Sequence, residues 1–288
     1  MYWLSKFENN KFETIRLIKE SSFIQLKNDC RTIHESYTQF VVFKYLQLNL
    51  KDYLKFINKS TKIITNEIDV RKLMNPHFIL EVNKLVLNLL SSFKFFIDNG
   101  ETFIKRTYGK QSMESHNYSN FLSSQYDNLF GYRFLYKLRN YSIHLGFPIE
   151  YLSYENINRP KNPREIFCEI PLKIETNKLK KEIDLFGKKI ISEIENMGDE
   201  IDIRPLIVEL STSILDIQYY IFSLYNKKLK LSINNIEQFI GNHKNDSNDI
   251  IVCYNFKSKK DISKFNSLKV PFEMISDFRN YMNQKHIN

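Results

Sequence analysis

Apolar residues recur at steps of three and four in several long stretches of this chain, as they do along amphipathic helices. The first stretch predicts a helix near residues 77–98, with Asn99-Gly100 as its stop signal. Two later stretches predict helices through residues 179–197 and 206–224. Together with a fourth helical stretch they predict a four-helix core.

The fourth helical stretch covers residues 125–145. Gly146 and Pro148 follow it, the first as a left-handed cap and the second as a helix terminator. The pattern therefore places His144 in the last helical turn.

Two short segments are predicted to be strands. Residues 166–174 carry apolar side chains at every second position, and Pro171 limits the run to an edge strand. A second strand is predicted at residues 250–256, followed by a short helix at residues 272–282. The two strand candidates could pair as a small two-stranded element.

Helix-like spacing also appears before the predicted core, from Cys30 to Phe40 and at residues 52–57. This region is predicted to be a separate helical cap. The chain then divides into an N-terminal helical cap or subdomain at residues 1–75, a helical core at residues 76–235, and a C-terminal extension with a short strand and helix at residues 236–288.

The composition also favours a mainly α fold. Of 288 residues, 42% are hydrophobic and 14% aromatic, which is enough for a packed core. Glycine and proline contribute seven residues each, so turn-dense sandwiches and barrels are disfavoured.

Lysine and arginine number 42 against 33 acidic residues, and the net charge of +9 favours polyanionic partners. An AT-rich coding sequence would produce the same lysine excess, so the charge alone identifies no partner.

Several classes of site and location are disfavoured. The three cysteines are far apart and form no Cys-x-x-Cys pair, so neither a disulfide framework nor a zinc site is expected. The N-terminus has no apolar signal core, and polar residues interrupt the most apolar stretch, residues 82–97. No Walker or Gly-x-Ser-x-Gly motif is present. We expect a cytoplasmic protein that uses no metal or other cofactor and has no membrane contact.

A polar line along the fourth helical stretch carries the candidate chemistry. Arg133, Lys137, Asn140 and His144 follow one another at steps of four, three and four, opposite the apolar stripe. At about 100° per residue, Arg139 and His144 lie about 140° apart around the helix. They can therefore act on one substrate only where a second surface closes over that arc.

The residue types in this line suit RNA cleavage. Arg139 is a permanent cation whose planar fork fits phosphate oxygens, and a neutral His144 can accept a proton near pH 7. We expect His144 to withdraw the proton of the ribose 2′-hydroxyl while Arg139 stabilises charge on the attacked phosphate. Asn140 would hold a phosphate or orient the imidazole. A general-acid role for His144 is equally compatible with the sequence.

Arg139-Asn140 followed by His144 resembles the Arg-polar-x3-His form of the Arg-x(4-6)-His signature of HEPN domains. The resemblance covers about residues 77–230 and implies a helical bundle. Many HEPN proteins are metal-independent endoribonucleases of toxin-antitoxin, abortive-infection and CRISPR-linked defence, with sites formed where two such domains meet. The resemblance therefore implies a homodimer that cleaves RNA with Arg139, Asn140 and His144 of both protomers. It also implies a regulatory partner or antitoxin. One toxin branch has a tyrosine soon after the histidine, where this chain has Leu145-Gly146-Phe147.

Other residues near the motif are candidate RNA contacts. They are Arg133, Lys137 and Tyr136 on the motif helix and Lys105 and Arg106 in a basic stretch that also reads as an ordinary solvated loop. A second basic stretch lies at residues 159–164. Aromatic residues at helical spacing, such as Tyr136, more often fill cores than stack on bases. Two rival functions stay open: a non-catalytic helical RNA-binding or assembly protein, and a nucleotide-sensing or purely structural scaffold.

Overall fold

The computed structural model describes residues 1–60, 63–64, 76–153, 155–158, 166–244, 248–255 and 265–284. The fold is mainly α, as the sequence predicts. The helices are α1 Glu20–Ser60, α2 Pro76–Tyr108, α3 Met113–Asn128, α4 Phe130–His144, α5 Thr176–Lys180, α6 Ile183–Phe186, α7 Lys188–Glu195, α8 Ile203–Ile240 and α9 Phe272–Gln284. In these ranges, no helix combines the length and apolarity that crossing a membrane requires.

The strands form three antiparallel sheets. They are β1 Tyr2–Glu8, β2 Lys11–Ile18, β3 Ile63–Ile64, β4 Glu155–Asn158, β5 Ile166–Glu169, β6 Lys173–Glu175, β7 Glu200–Asp202, β8 Asp249–Tyr254 and β9 Asn266–Lys269. Their orders are β2-β1-β8-β9, β3-β5-β4 and β6-β7. The sequence suggests one small two-stranded element, whereas the structure has sheets of four, three and two strands.

The chain divides into two compact units, one of residues 1–40 and 222–288 and one of residues 41–221. The first unit joins both ends of the chain, because β1 pairs with β8. These boundaries do not coincide with the predicted segments 1–75, 76–235 and 236–288.

Aromatic packing holds the first unit together. In the four-stranded sheet Tyr2 stacks on Phe23 of α1, with ring centroids 4.4 Å apart. Farther along α1, Phe40 packs against Phe278 of α9 at 4.9 Å. The hydroxyl of Tyr37 also donates a hydrogen bond to Asp277 at 2.6 Å. The predicted C-terminal helix at residues 272–282 is confirmed, since it packs here as α9.

In the second unit, α2 buries one apolar stripe against its neighbours. Phe93 of α2 meets Tyr132 of α4 edge-on at 5.1 Å. Phe134 of α4 packs in turn on Phe186 at 6.0 Å. Burying large aromatic side chains in this way contributes roughly 1.5–3 kcal/mol each, so α2 and α4 form the centre of the unit that carries the motif.

The predicted stop at Asn99-Gly100 is wrong, because α2 continues to Tyr108. Gly100 is buried inside the helix, where an added Cβ would lie 2.7 Å from the Tyr118 hydroxyl and 2.8 Å from Ile221. Glycine here allows close packing rather than a turn.

Two other predicted helices are interrupted. The stretch 125–145 is divided at Leu129, whose backbone is extended, with φ −107° and ψ 115°. The stretch 179–197 forms three short helices, α5 to α7, with Gly187 at φ +83° between the last two. The helix predicted at residues 206–224 extends in both directions as α8.

The predicted strands also pair differently. The run at residues 166–174 breaks around Pro171 into β5 and β6, which belong to different sheets. The strand predicted at residues 250–256 forms as β8, and it pairs with β1 and β9. The suggested pairing between the two candidates is therefore wrong.

Candidate functional site

Helix α4 carries the motif, and both of its ends have a physical cause. At its start the Gly131 N–H donates to the Glu209 carboxylate at 2.6 Å, which satisfies one of the free donors of the first turn. At its end the Leu145 N–H donates to the Tyr141 carbonyl at 2.8 Å, and Gly146 has φ +114°. His144 is the last helical residue, as the sequence predicts.

Arg139 and Asn140 interact directly. Arg139 Nη1 donates to Asn140 Oδ1 at 3.2 Å, and both side chains are half-buried. Arg139 Nε is buried and has no hydrogen-bond partner among the described residues. A buried donor without an acceptor costs free energy, and a hydrogen-bond acceptor that reached Arg139 Nε would remove that cost.

His144 lies on an exposed and apolar end of the unit. Its side chain is exposed, and so are those of Ile143, Leu145 and Phe147, at 46%, 52% and 43%. Three large apolar side chains are therefore exposed within three positions of His144 in the sequence, where another protein could cover them. We call Ile143, Leu145 and Phe147 the apolar rim.

Arg133 has a structural place instead of the RNA contact predicted for it. Its side chain is buried, Nε donates to the Glu193 carboxylate at 2.8 Å, and Nη2 pairs with the second carboxylate oxygen. Nη1 donates to the carbonyls of Tyr126 and Asp127, each at 3.2 Å, at the end of α3. The guanidinium thereby caps one helix and binds another, so its donors are occupied within the protein and Arg133 is not an RNA contact.

Tyr136 and Lys137 occupy the turn between Arg133 and the motif. The ring of Tyr136 lies 5.3 Å from Lys94 Nζ and 6.3 Å from the ring of Tyr126, so it packs between helices. Lys137 is half-buried, and within the described ranges it forms no ion pair. Of the two, Lys137 is the better candidate for a phosphate contact.

Lys105 and Arg106 lie far from His144. Lys94 of α2 contacts Tyr136, and Asn83 of α2 contacts Ile149 beyond the end of α4, so the two helices are antiparallel. At about 1.5 Å per residue, Lys94 to Lys105 spans about 16 Å, and Tyr136 to His144 spans about 12 Å in the opposite direction. Lys105 also pairs with Glu101, while Arg106 is exposed. Any RNA that touches both sets must therefore cover about 28 Å.

The structure adds one residue that the sequence did not single out. Asn83 is buried in the apolar stripe of α2, where its Nδ2 donates to the Ile149 carbonyl at 2.7 Å and its Oδ1 accepts from the Ile149 N–H at 3.2 Å. Asn83 thereby holds the chain just after the apolar rim. An amide inside an apolar helical stripe is the sequence signal that could have revealed it.

The basic stretch at residues 159–164 lies outside the described residues. Within those residues, no group of three or more His, Cys, Asp or Glu side chains is arranged to hold a metal ion. No protein-family model, curated protein or solved structure matches the chain. What can be inferred about function therefore rests on the geometry around α4.

Proposed function

We propose that this protein is a metal-independent endoribonuclease of HEPN type, with Arg139, Asn140 and His144 as its catalytic residues. The observation that carries the proposal is that Arg139 Nε, which is buried and has no hydrogen-bond partner in the described part of the chain, lies five residues before the exposed His144. A cation without an acidic partner among the described residues and an accessible imidazole are the two groups that phosphodiester cleavage needs.

In the proposed reaction the ribose 2′-oxygen attacks the adjacent phosphorus while the bond to the 5′-oxygen breaks. His144 takes the 2′-hydroxyl proton or gives a proton to the leaving 5′-oxygen. Arg139 stabilises the charge that develops on the phosphate oxygens, and the hydrogen bond to Asn140 holds the guanidinium in place. The products are a 2′,3′-cyclic phosphate and a 5′-hydroxyl, so no water is consumed in this step.

We propose a homodimer as the active form. Arg139 and His144 point about 140° apart on one helix, so a second surface must close over them. The apolar rim beside His144 supplies a surface that a second copy can cover, and Lys137 lies one turn before Asn140 to hold the RNA backbone. Lys105 and Arg106, at the far end of α2, can contact only an RNA that spans the about 28 Å between them and His144.

A role as a toxin or antiviral defence effector, restrained by a regulatory partner or antitoxin, follows from the HEPN resemblance. The site itself suits such control. A partner that covers the apolar rim would block both dimerisation and RNA access.

The test is cleavage of labelled single-stranded RNA and total tRNA in excess EDTA. We expect cleavage by the natural protein, with 2′,3′-cyclic phosphate ends, and a loss of at least about a hundredfold in Arg139→Ala and His144→Ala. Arg31→Ala and His116→Ala change exposed residues of the same types elsewhere and serve as matched controls.

Absence of cleavage at high protein concentration, or equal cleavage by all variants, would reject the proposal. RNA binding that weakens in Lys137→Ala without any cleavage would instead support the rival, a non-catalytic RNA-binding or assembly protein.

A further inference from the structure

Within the first unit, helices α1 and α8 run antiparallel and leave an open cavity between them. Asp29 of α1 faces Asn235 of α8, and farther along α1 the oxygen of the Gln39 amide accepts a hydrogen bond from the Tyr225 hydroxyl at 3.4 Å. The cavity has a volume of about 460 Å³ and lies between the first turns of α1 and the last turns of α8. Its volume is within the range of pockets that hold small molecules.

Asp29 is the one acidic residue on the wall of this cavity in the part of the chain that the structure describes. It is only 5% exposed, and no basic side chain of the described residues pairs with it. Gln25 Nε2 donates to the Asp29 carboxylate at 2.9 Å, and Asn235 Nδ2 lies 3.4 and 3.3 Å from the two carboxylate oxygens. Because these donors are neutral amides, they satisfy some of the hydrogen bonding of the carboxylate and leave its charge uncompensated.

The polar groups around Asp29 are suited to a ligand that brings donors. Gln25 and Asn235 turn their NH₂ groups to Asp29, so their amide oxygens have no donor among the described residues. An ammonium group has donors and no acceptor, and it can bond to these oxygens and to the carboxylate together. The positive end of α1 acts over the first turn of the helix, whereas Asp29 lies more than two turns from the start at Glu20.

Leu26 and Phe239 give the same cavity an apolar wall. A cation is already accommodated at Phe239, because the Arg16 guanidinium carbon lies 4.9 Å from the centroid of the Phe239 ring. Arg16 Nη2 also donates to the Phe239 carbonyl at 2.7 Å. An organic cation with an alkyl chain matches both the carboxylate and the apolar wall, whereas a bare metal ion gains nothing from that wall.

We propose that this cavity binds a primary alkylammonium group, with the ammonium on the Asp29 carboxylate. The amide oxygens of Gln25 and Asn235 accept hydrogen bonds from its other N–H groups. The alkyl chain packs against Leu26 and Phe239. The cavity contains none of the proposed catalytic residues, so the ligand binds whether or not the protein cleaves RNA.

The test uses n-butylammonium as the probe. The full-length protein is titrated at constant ionic strength, and binding is measured from saturation-transfer NMR signals of the probe. We expect saturable binding of n-butylammonium and none of 1-butanol, which has the same alkyl chain without the charge. Asp29→Asn keeps the shape of the side chain and removes its charge. It should bind n-butylammonium at least about tenfold more weakly, since a hydrogen bond to a charged group contributes that much.

Glu35→Gln is the matched control, because Glu35 is an exposed carboxylate on the same helix, and this variant should bind as the natural protein does. Gln25→Lys places an ammonium of the protein itself one turn from Asp29, so it should exclude n-butylammonium. This second variant decides the question if Asp29→Asn fails to fold. Equal affinity in either cavity variant and in Glu35→Gln would overturn the inference. So would 1-butanol that binds as tightly as n-butylammonium, because the cavity would then recognise the alkyl chain alone.

The ammonium group can belong to a free amine or to a lysine of another protein, and a second probe separates these sources. Nα-acetyl-lysinamide carries the same ammonium and alkyl chain on a peptide unit. Binding of n-butylammonium without binding of the lysine derivative would uphold the site and assign it to a free amine. Tighter binding of the lysine derivative would uphold the site and assign it to a protein side chain. Binding of neither probe would overturn the inference.

Discussion

Arg133 and Glu193 join α4 to α7 through a two-point ion pair, with Arg133 Nε 2.8 Å from Glu193 Oε2. The arginine side chain is buried and the carboxylate is partly exposed. Six residues later on the same helix, Arg139 has no acidic partner in the part of the chain that the structure describes. The helix thus carries one arginine held in a two-point ion pair and one without an acidic partner among the described residues.

Loss of the Arg133 pair should destabilise the protein. Arg133→Ala leaves a partly buried carboxylate and two helix-end carbonyls without their donor, and we expect the free energy of unfolding to fall by about 3 kcal/mol. Urea denaturation measures this. Lys84→Ala removes an exposed pair with Glu81 and should change stability by less than about 0.5 kcal/mol. Equal effects of the two substitutions would contradict the structural assignment.

Asn83 should act on the site without touching RNA. Asn83→Ala leaves the buried N–H and carbonyl of Ile149 unsatisfied, which costs about 1–3 kcal/mol, and releases the chain after the apolar rim. We expect lower stability and reduced cleavage even though Arg139 and His144 remain. Asn88→Ala, an exposed position on the same helix, is the control. Full cleavage by a destabilised Asn83→Ala protein would show that the hydrogen bonds between Asn83 and Ile149 do not shape the site.

A composite active site should allow rescue between inactive variants. If each site takes Arg139 from one protomer and His144 from the other, mixing Arg139→Ala and His144→Ala proteins creates heterodimers with one intact site. We expect cleavage to return on mixing and to stay absent in either protein alone. Leu145→Asp should abolish both dimer and cleavage, because it places a charge in the apolar rim. Lack of rescue with an intact dimer would place both groups of each site in one protomer.

The hydrogen bond from Tyr37 should make stability fall at alkaline pH. Donation to Asp277, with burial adding to it, raises the pKa of Tyr37 to about 12 from its ordinary value of 10.0. Because the pKa is raised in the folded state, the hydrogen bond contributes its full stability to the folded protein below pH 10.0. That contribution is lost as the pH rises through about 12. Tyr37→Phe should therefore flatten the decline in urea midpoint between those pH values. Tyr45→Phe, at an exposed position on the same helix, should leave the decline unchanged.

The hairpin at the start of the chain shows why part of the fold could not be predicted. Its loop is Asn9-Asn10, and both residues have positive φ, 51° and 61°, as a two-residue hairpin turn requires. Asn-Asn is a weaker signal than Asn-Gly, and β1 is completed by β8 from the far end of the chain. A single-sequence pattern contains no information on so distant a pairing.

Local signals determined the mainly α class, the end of α4 at His144, the strand β8 and the C-terminal helix α9. Periodicity and the glycine cap act over a few residues, so the sequence alone contains them. The sequence also placed Arg139, Asn140 and His144 on one helical segment. Tertiary structure decided that Gly100 continues a helix, because Tyr118 and Ile221 approach it, and that Arg133 is buried, because Glu193 faces it. Those outcomes depend on residues far away in sequence, and only the folded chain brings such residues together.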